Sequence, residues 1–137
     1  MSGELYDPKK VQLIVNGLAI TGFADGDKIK IEPVTKEDIK SVVGVDGDVS
    51  MAKVNDDRHT VTFTLKEESP SNKMLDALRK LPTGFAVMIK NNSAGKYIGG
   101  GTGSRVSEKP GVTFGAEAPK REWKILVPNY SGQALPE

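Results

Sequence analysis

The run His59 to Leu81, HTVTFTLKEESPSNKMLDALRKL, constrains the fold more than any other stretch, because it places a strand directly before a helix with a capped junction between them. Val61, Phe63 and Leu65 alternate with Thr60, Thr62, Thr64 and Lys66, the period-two pattern of a strand with one apolar and one hydrated face. Ser69 offers an N-cap oxygen, and Pro70 suits the first helical position because its missing N–H would have no partner there. Met74, Leu75, Leu78 and Leu81 then recur at helical spacing, predicting an amphipathic helix over about residues 70–81. Pro82-Thr83-Gly84 ends it.

Around this unit the chain reads as strands bounded by Gly, Pro, Asn and Asp. Val11 to Val15 and Leu18 to Phe23 flank Asn16-Gly17, a two-residue hairpin signal. Lys28 to Glu32 alternates as a half-buried strand, with Ile29 and Ile31 on one face. From Val34 to Asp57 the pattern is weak and polar, and predicts a long hairpin or mobile loop around Asp46-Gly47-Asp48. Phe85, Val87 and Ile89 mark another strand, Lys96 to Ile98 a return strand running into glycines, and Glu122 to Val127 a closing strand with Trp123, Ile125 and Val127 on one face.

The 137 residues suit one domain. The predicted architecture is a mainly antiparallel β sandwich or open barrel with one flanking helix over residues 10–127. Residues 1–9 and 128–137, polar and punctuated by proline, read as terminal arms.

Charge and composition exclude several function classes. With 19 Lys plus Arg against 18 Asp plus Glu, no whole-chain field draws the protein to nucleic acid or anionic lipid. The distribution is uneven: residues 1–68 carry 9 basic and 13 acidic side chains, residues 69–137 carry 10 and 5. No cysteine is present, so there is no thiol nucleophile, disulfide or thiolate metal site, and one histidine offers little to zinc. No apolar run is long enough to span a bilayer and the N-terminus lacks the apolar core of a signal peptide, so the expectation is a protein soluble where it is made.

The motifs that could carry chemistry each fail on spacing. Gly99-Gly100-Gly101-Thr102-Gly103 lacks the Gly-Lys-Ser/Thr ending of a phosphate loop, and the dinucleotide fingerprint meets Val106 where it needs glycine, leaving a flexible loop or glycine-weakened edge strand. Asp25-Gly26-Asp27 and Asp46-Gly47-Asp48 lack the spaced acidic set of a calcium loop and read as turns. Asp56-Asp57-Arg58-His59 sets an imidazole beside carboxylates without a nucleophile in reach along the sequence, so His59 reads as a turn residue. Lys120, Arg121 and Lys124 around Trp123 could bind single-stranded nucleic acid or a protein partner, but Trp123 shares its face with Ile125 and Val127 and reads as core. No catalytic, cofactor or metal residue is predicted, and the protein is expected not to be an enzyme.

Val45-Asp46-Gly47-Asp48-Val49, His59 to Leu65 and Glu68 to Leu75, in that order, resemble the tail-tube proteins of long-tailed, especially contractile, phages. The similarity spans roughly residues 10–127, and extends to the tube proteins of type VI secretion and phage-like bacteriocins. The resemblance implies a β-sandwich subunit that closes into hexameric rings, stacked into a tube within a virion tail or virion-like injection device, and made in the bacterial host cytoplasm. It implies sheath, baseplate and tail-terminator partners, DNA passing through the lumen without specific binding, and no membrane. On that resemblance the 34–57 segment, with Asp46, Gly47, Asp48, Lys53, Asp56 and Asp57, is expected to reach a neighbouring ring. The face of Thr60, Thr62 and Thr64 is expected to line the lumen or a hydrated subunit contact, because a DNA channel must avoid rows of Lys and Arg that would hold phosphate.

Overall fold

The computed structural model describes residues 10–24, 29–113 and 119–134. In chain order the elements are β1 (Val11–Val15), β2 (Leu18–Ala19), β3 (Ile29–Pro33), β4 (Ile39–Val43), β5 (Val49–Lys53), β6 (His59–Lys66), α1 (Ser71–Arg79), β7 (Phe85–Asn91), β8 (Tyr97–Val106), β9 (Val112–Thr113), β10 (Lys120–Val127) and β11 (Ser131–Ala134). Every pairing is antiparallel. The predicted tail-tube-like, mainly β sandwich with one helix is therefore what the chain forms, and it does not close into a barrel.

Two sheets share one long strand. β2, β1, β7, β8 and β11 make the first, and β8, β10, β6 and β3 make the second, with β9 beside β10. Residues Tyr97 to Ser104 of β8 pair with β7, after which Arg105 and Val106 cross to pair with Leu126 and Ile125 of β10. Gly103, at φ 66°, precedes that crossing and supplies a backbone turn that side-chain-bearing residues rarely adopt. The glycine run is thus a central strand, correcting the expected loop or edge strand. At Gly100 (φ 152°) a Cβ would lie 3.0 Å from the Met88 Cα, so the absent side chain lets β7 and β8 approach.

The core lies between the sheets. Leu13, Val15, Val87 and Ile89 from one side meet Val61, Phe63, Leu65, Trp123, Ile125 and Val127 from the other, with Leu75 of α1 closing one end. The alternation read from β6, β7 and β10 gives each strand its buried face.

The helix begins one residue later than predicted and ends two earlier. Pro70 occupies the cap position itself, at φ −65° and ψ −21°, and Ser69 acts from one residue further out. Its hydroxyl accepts from the Ser71 backbone N–H (3.2 Å) and donates to the Thr21 carbonyl (2.5 Å), tying the helix start to the loop after β2. Asn72 completes the junction. Its amide donates to the carbonyls of Lys66 (2.8 Å) and Glu67 (3.1 Å), and its oxygen accepts from Trp123 Nε1 (2.9 Å).

Other differences are local. Of the predicted strand Leu18 to Phe23 only Leu18–Ala19 is a ladder, with a further bridge from Phe23 to Leu65. Residues 131–134, expected within a C-terminal arm, instead return along β8 as β11. The N-terminal arm 1–9 and the turn Asp25-Gly26-Asp27 lie outside the described residues.

Candidate assembly surfaces

The weakly patterned segment after β3 folds as a hairpin whose strands pair only with each other. Its register sets Ile39 opposite Lys53, Ser41 opposite Met51 and Val43 opposite Val49 on one face. The other face carries Lys40, Ala52, Val42 and Ser50. One side is therefore rich in large apolar groups, and none of the described residues covers it: Ile39, Val43, Val49 and Met51 are 60%, 67%, 62% and 75% exposed. Apolar groups gathered this densely on a surface mark a contact site. The tip is a turn closed by Gly44 N–H to the Asp48 carbonyl (2.7 Å), with Asp46 and Asp48 exposed there.

The base of the hairpin is clasped by Asp56. Its carboxylate accepts from Arg58 Nε (2.9 Å) and Nη2 (2.7 Å), from the Arg58 backbone N–H (3.1 Å) and from the Thr35 hydroxyl (2.6 Å). The Arg58 guanidinium, then the Thr35 hydroxyl, hold the Asp56 carboxyl well below the usual carboxylate range. Val34 N–H to the Arg58 carbonyl (2.9 Å) and Val54 N–H to the Asp38 carbonyl (2.8 Å) bind the same region. The six residues singled out in the sequence thus divide by place: Asp46, Gly47 and Asp48 at the tip, Lys53 in β5, and Asp56 and Asp57 at the base.

Thr60, Thr62 and Thr64 lie half-buried on the face of β6 opposite the core. The helix sits on the core side, where Leu75 is buried, so this threonine face stays open. Glu32 and Lys30 of β3 flank it on one side and Lys124 and Glu122 of β10 on the other, framing a groove of about 730 Å³. Its charges are neighbours of opposite sign: Lys30 to Glu32 at 3.2 Å, Lys124 to Glu108 at 3.6 Å and to Glu122 at 3.9 Å. The result is a polar face without a single-sign row.

The outer face of the other sheet is different. Ile14, Ala86, Met88, Ile98 and Gly100 border a groove of about 540 Å³, and none of the residues lining it is charged. Sequence reading missed this surface, because the glycines were weighed only as a nucleotide loop.

The remaining candidates resolve as structure. Trp123 is fully buried with its N–H on Asn72, so it cannot stack on a base, while Arg121 binds Glu67 at 2.8 Å. His59 stacks on Tyr130 with ring centroids 4.5 Å apart, and its Nδ1 lies 3.0 Å from the Asp57 carbonyl. The Tyr130 hydroxyl is hydrogen-bonded to that of Tyr97, and burial is the main force pushing its pKa up. Among the described residues no His, Asp and Glu side chains gather into a metal-binding group, and no helix is long and apolar enough to cross a membrane.

No family model and no curated protein sequence matches the chain. Solved structures do. The tube-terminating cap of the anti-feeding prophage superposes with a TM-score of 0.66 at 8% identity, over 98% of this chain and 95% of the cap. A chain of the sheath–tube complex of the extracellular contractile injection system PVC, in its extended state, gives 0.62 at 9% identity over 96% and 93%. At such identities the agreement is one of fold, extending over nearly the whole of each chain. The resemblance read from the sequence holds at that level: this chain has the fold of components of contractile injection systems, relatives of phage tails.

Proposed function

We propose that the protein is a non-enzymatic structural subunit of a phage tail tube or of the tube of a contractile injection system, acting by self-assembly into stacked hexameric rings. The observation that carries this reading is the amphipathic β4–β5 hairpin, whose apolar face has no cover among the described residues, on a fold otherwise matched end to end by injection-system components. A monomer gains nothing by exposing four large apolar side chains, whereas a subunit that buries them on a neighbour gains about 1.5–3 kcal/mol for each one fully covered.

In the proposed tube the threonine groove faces the lumen. Its cations already have carboxylate partners, so a passing polyanion would meet few free charges and slide rather than bind. The hairpin reaches a neighbouring ring, and sheath, baseplate and tail-terminator proteins are the further partners. The particle is a virion tail or a related injection device. A second reading follows from the likeness to a tube-terminating cap: the chain would form one ring and stop growth. Light scattering separates the two, since a tube subunit grows with concentration and a cap reaches a fixed mass. Met51→Asp with Val43→Asp should leave the monomer folded, because both side chains are exposed, and abolish association. Association that survives this pair would refute the role given to the hairpin.

A further inference from the structure

Among the described residues two apolar surfaces lack a cover, and they correspond in length. The first is the hairpin face of Ile39, Val43, Val49 and Met51. The second is the glycine-floored groove on the outer face of the first sheet, bordered by Met88 and Ile98. We infer that the groove is the receptor for the hairpin of a second copy of this chain, a contact that rests on the self-assembly reading and gives its hairpin a defined seat.

Length, chemistry and topology argue for it. Five residues of strand at about 3.4 Å each make the hairpin face about 17 Å long, and the groove follows five residues of β8, Ile98 to Thr102, over the same distance. On the outer face of β8 the residue between Ile98 and Thr102 is Gly100, which carries no side chain, so a knob from outside can approach the backbone there. The groove offers no charge to compensate a polar or ionic occupant, and the only charged side chain on the hairpin face, Lys53, sits at its base end, where it can remain in water. Within one chain the two do not serve each other, because every residue from 36 to 53 is exposed. Between copies the contact is heterologous: each subunit that offers a hairpin still has an open groove, so the contact repeats into a closed ring or a stack. A foreign partner would have to match both surfaces separately.

Because the chain has no cysteine, the contact can be trapped with one thiol per copy. Met51→Cys protein is mixed with Ala86→Cys or Met88→Cys protein, left to assemble, and oxidised briefly. A control pairs Met51→Cys with Lys73→Cys, an exposed position on α1. The expected result is a disulfide-linked pair of two different copies, formed at least about 10-fold faster than in the control, since docked thiols see millimolar effective concentrations and the bond demands close Cα atoms. Assemblies that cross-link no faster than the control would overturn the groove assignment while leaving the tube reading intact. A Met51→Cys/Met88→Cys chain that closes an internal disulfide when dilute would show its own hairpin folding back, and would also overturn it. Failure to associate at any concentration would remove both readings.

Discussion

Replacing Asn72 by Ala tests whether one buried amide holds the strand–helix junction together. The side chain makes three hydrogen bonds, two to carbonyls at the end of β6 and one from the indole of Trp123, and all three are lost together. Trp123 is 0% exposed, so its N–H would be left buried without a partner, at about 1–3 kcal/mol. The Lys66 and Glu67 carbonyls lie nearer the surface and can turn to water, so their loss adds only about 0.5–1 kcal/mol together. The expected destabilisation is about 1.5–4 kcal/mol, which in a domain of this length lowers Tm by about 5–14 °C. Trp123 is the sole tryptophan, so its fluorescence during denaturant titration of the unassembled protein reports the transition directly. Adding Trp123→Phe removes the stranded donor and the fluorophore with it, so the cycle is followed by circular dichroism, and the double variant should be less unstable than the two single losses added together. A loss below about 0.5 kcal/mol for Asn72→Ala, or strict additivity with Trp123→Phe, would refute the reasoning.

Three further perturbations probe other parts of the account. Gly100→Ala forces a Cβ against the backbone of β7 at a φ that side chains disfavour, and should cost about 2–4 kcal/mol in a thermal melt. Ser104→Ala should stabilise the protein by about 1 kcal/mol in the same assay, because the buried Ser104 hydroxyl has no hydrogen-bond partner. The Asp56 clasp should respond to acid. Folding lowers this carboxyl's pKa, so the clasp acts in full above the ordinary value of 3.8 and weakens as pH falls toward the depressed folded value. Amide exchange at the hairpin base should therefore rise below about pH 4 in the parent protein, while Asp56→Asn shows the looser base at every pH.

How much was legible in the sequence depended on whether one residue pattern had one physical meaning. Val61, Phe63 and Leu65 against three threonines, and Trp123, Ile125 and Val127 at the same period, could only be half-buried strands, and they form the core. The glycines of β8 carried the opposite ambiguity. Their backbone is ordered by pairing with β7 and β11, which no local pattern records, so a central strand read as a loop. The same holds for Ser131 to Ala134, whose polar sequence becomes strand only because β8 lies alongside. In the hairpin the pattern was weak because the register, not either strand alone, gathers Ile39, Val43, Val49 and Met51 onto one face. The groove was invisible for a related reason: only the pairing of β1, β7 and β8 brings Ile14, Met88 and Ile98 together around Gly100.

Electron cryo-microscopy of the purified protein at high concentration tests the central claim most directly. The expected particles are rings or stacked tubes with sixfold symmetry, a central channel lined by Thr60, Thr62 and Thr64, and each β4–β5 hairpin seated on a neighbouring copy. A population that stays strictly monomeric, or rings whose hairpins point unclothed into solvent, would contradict it.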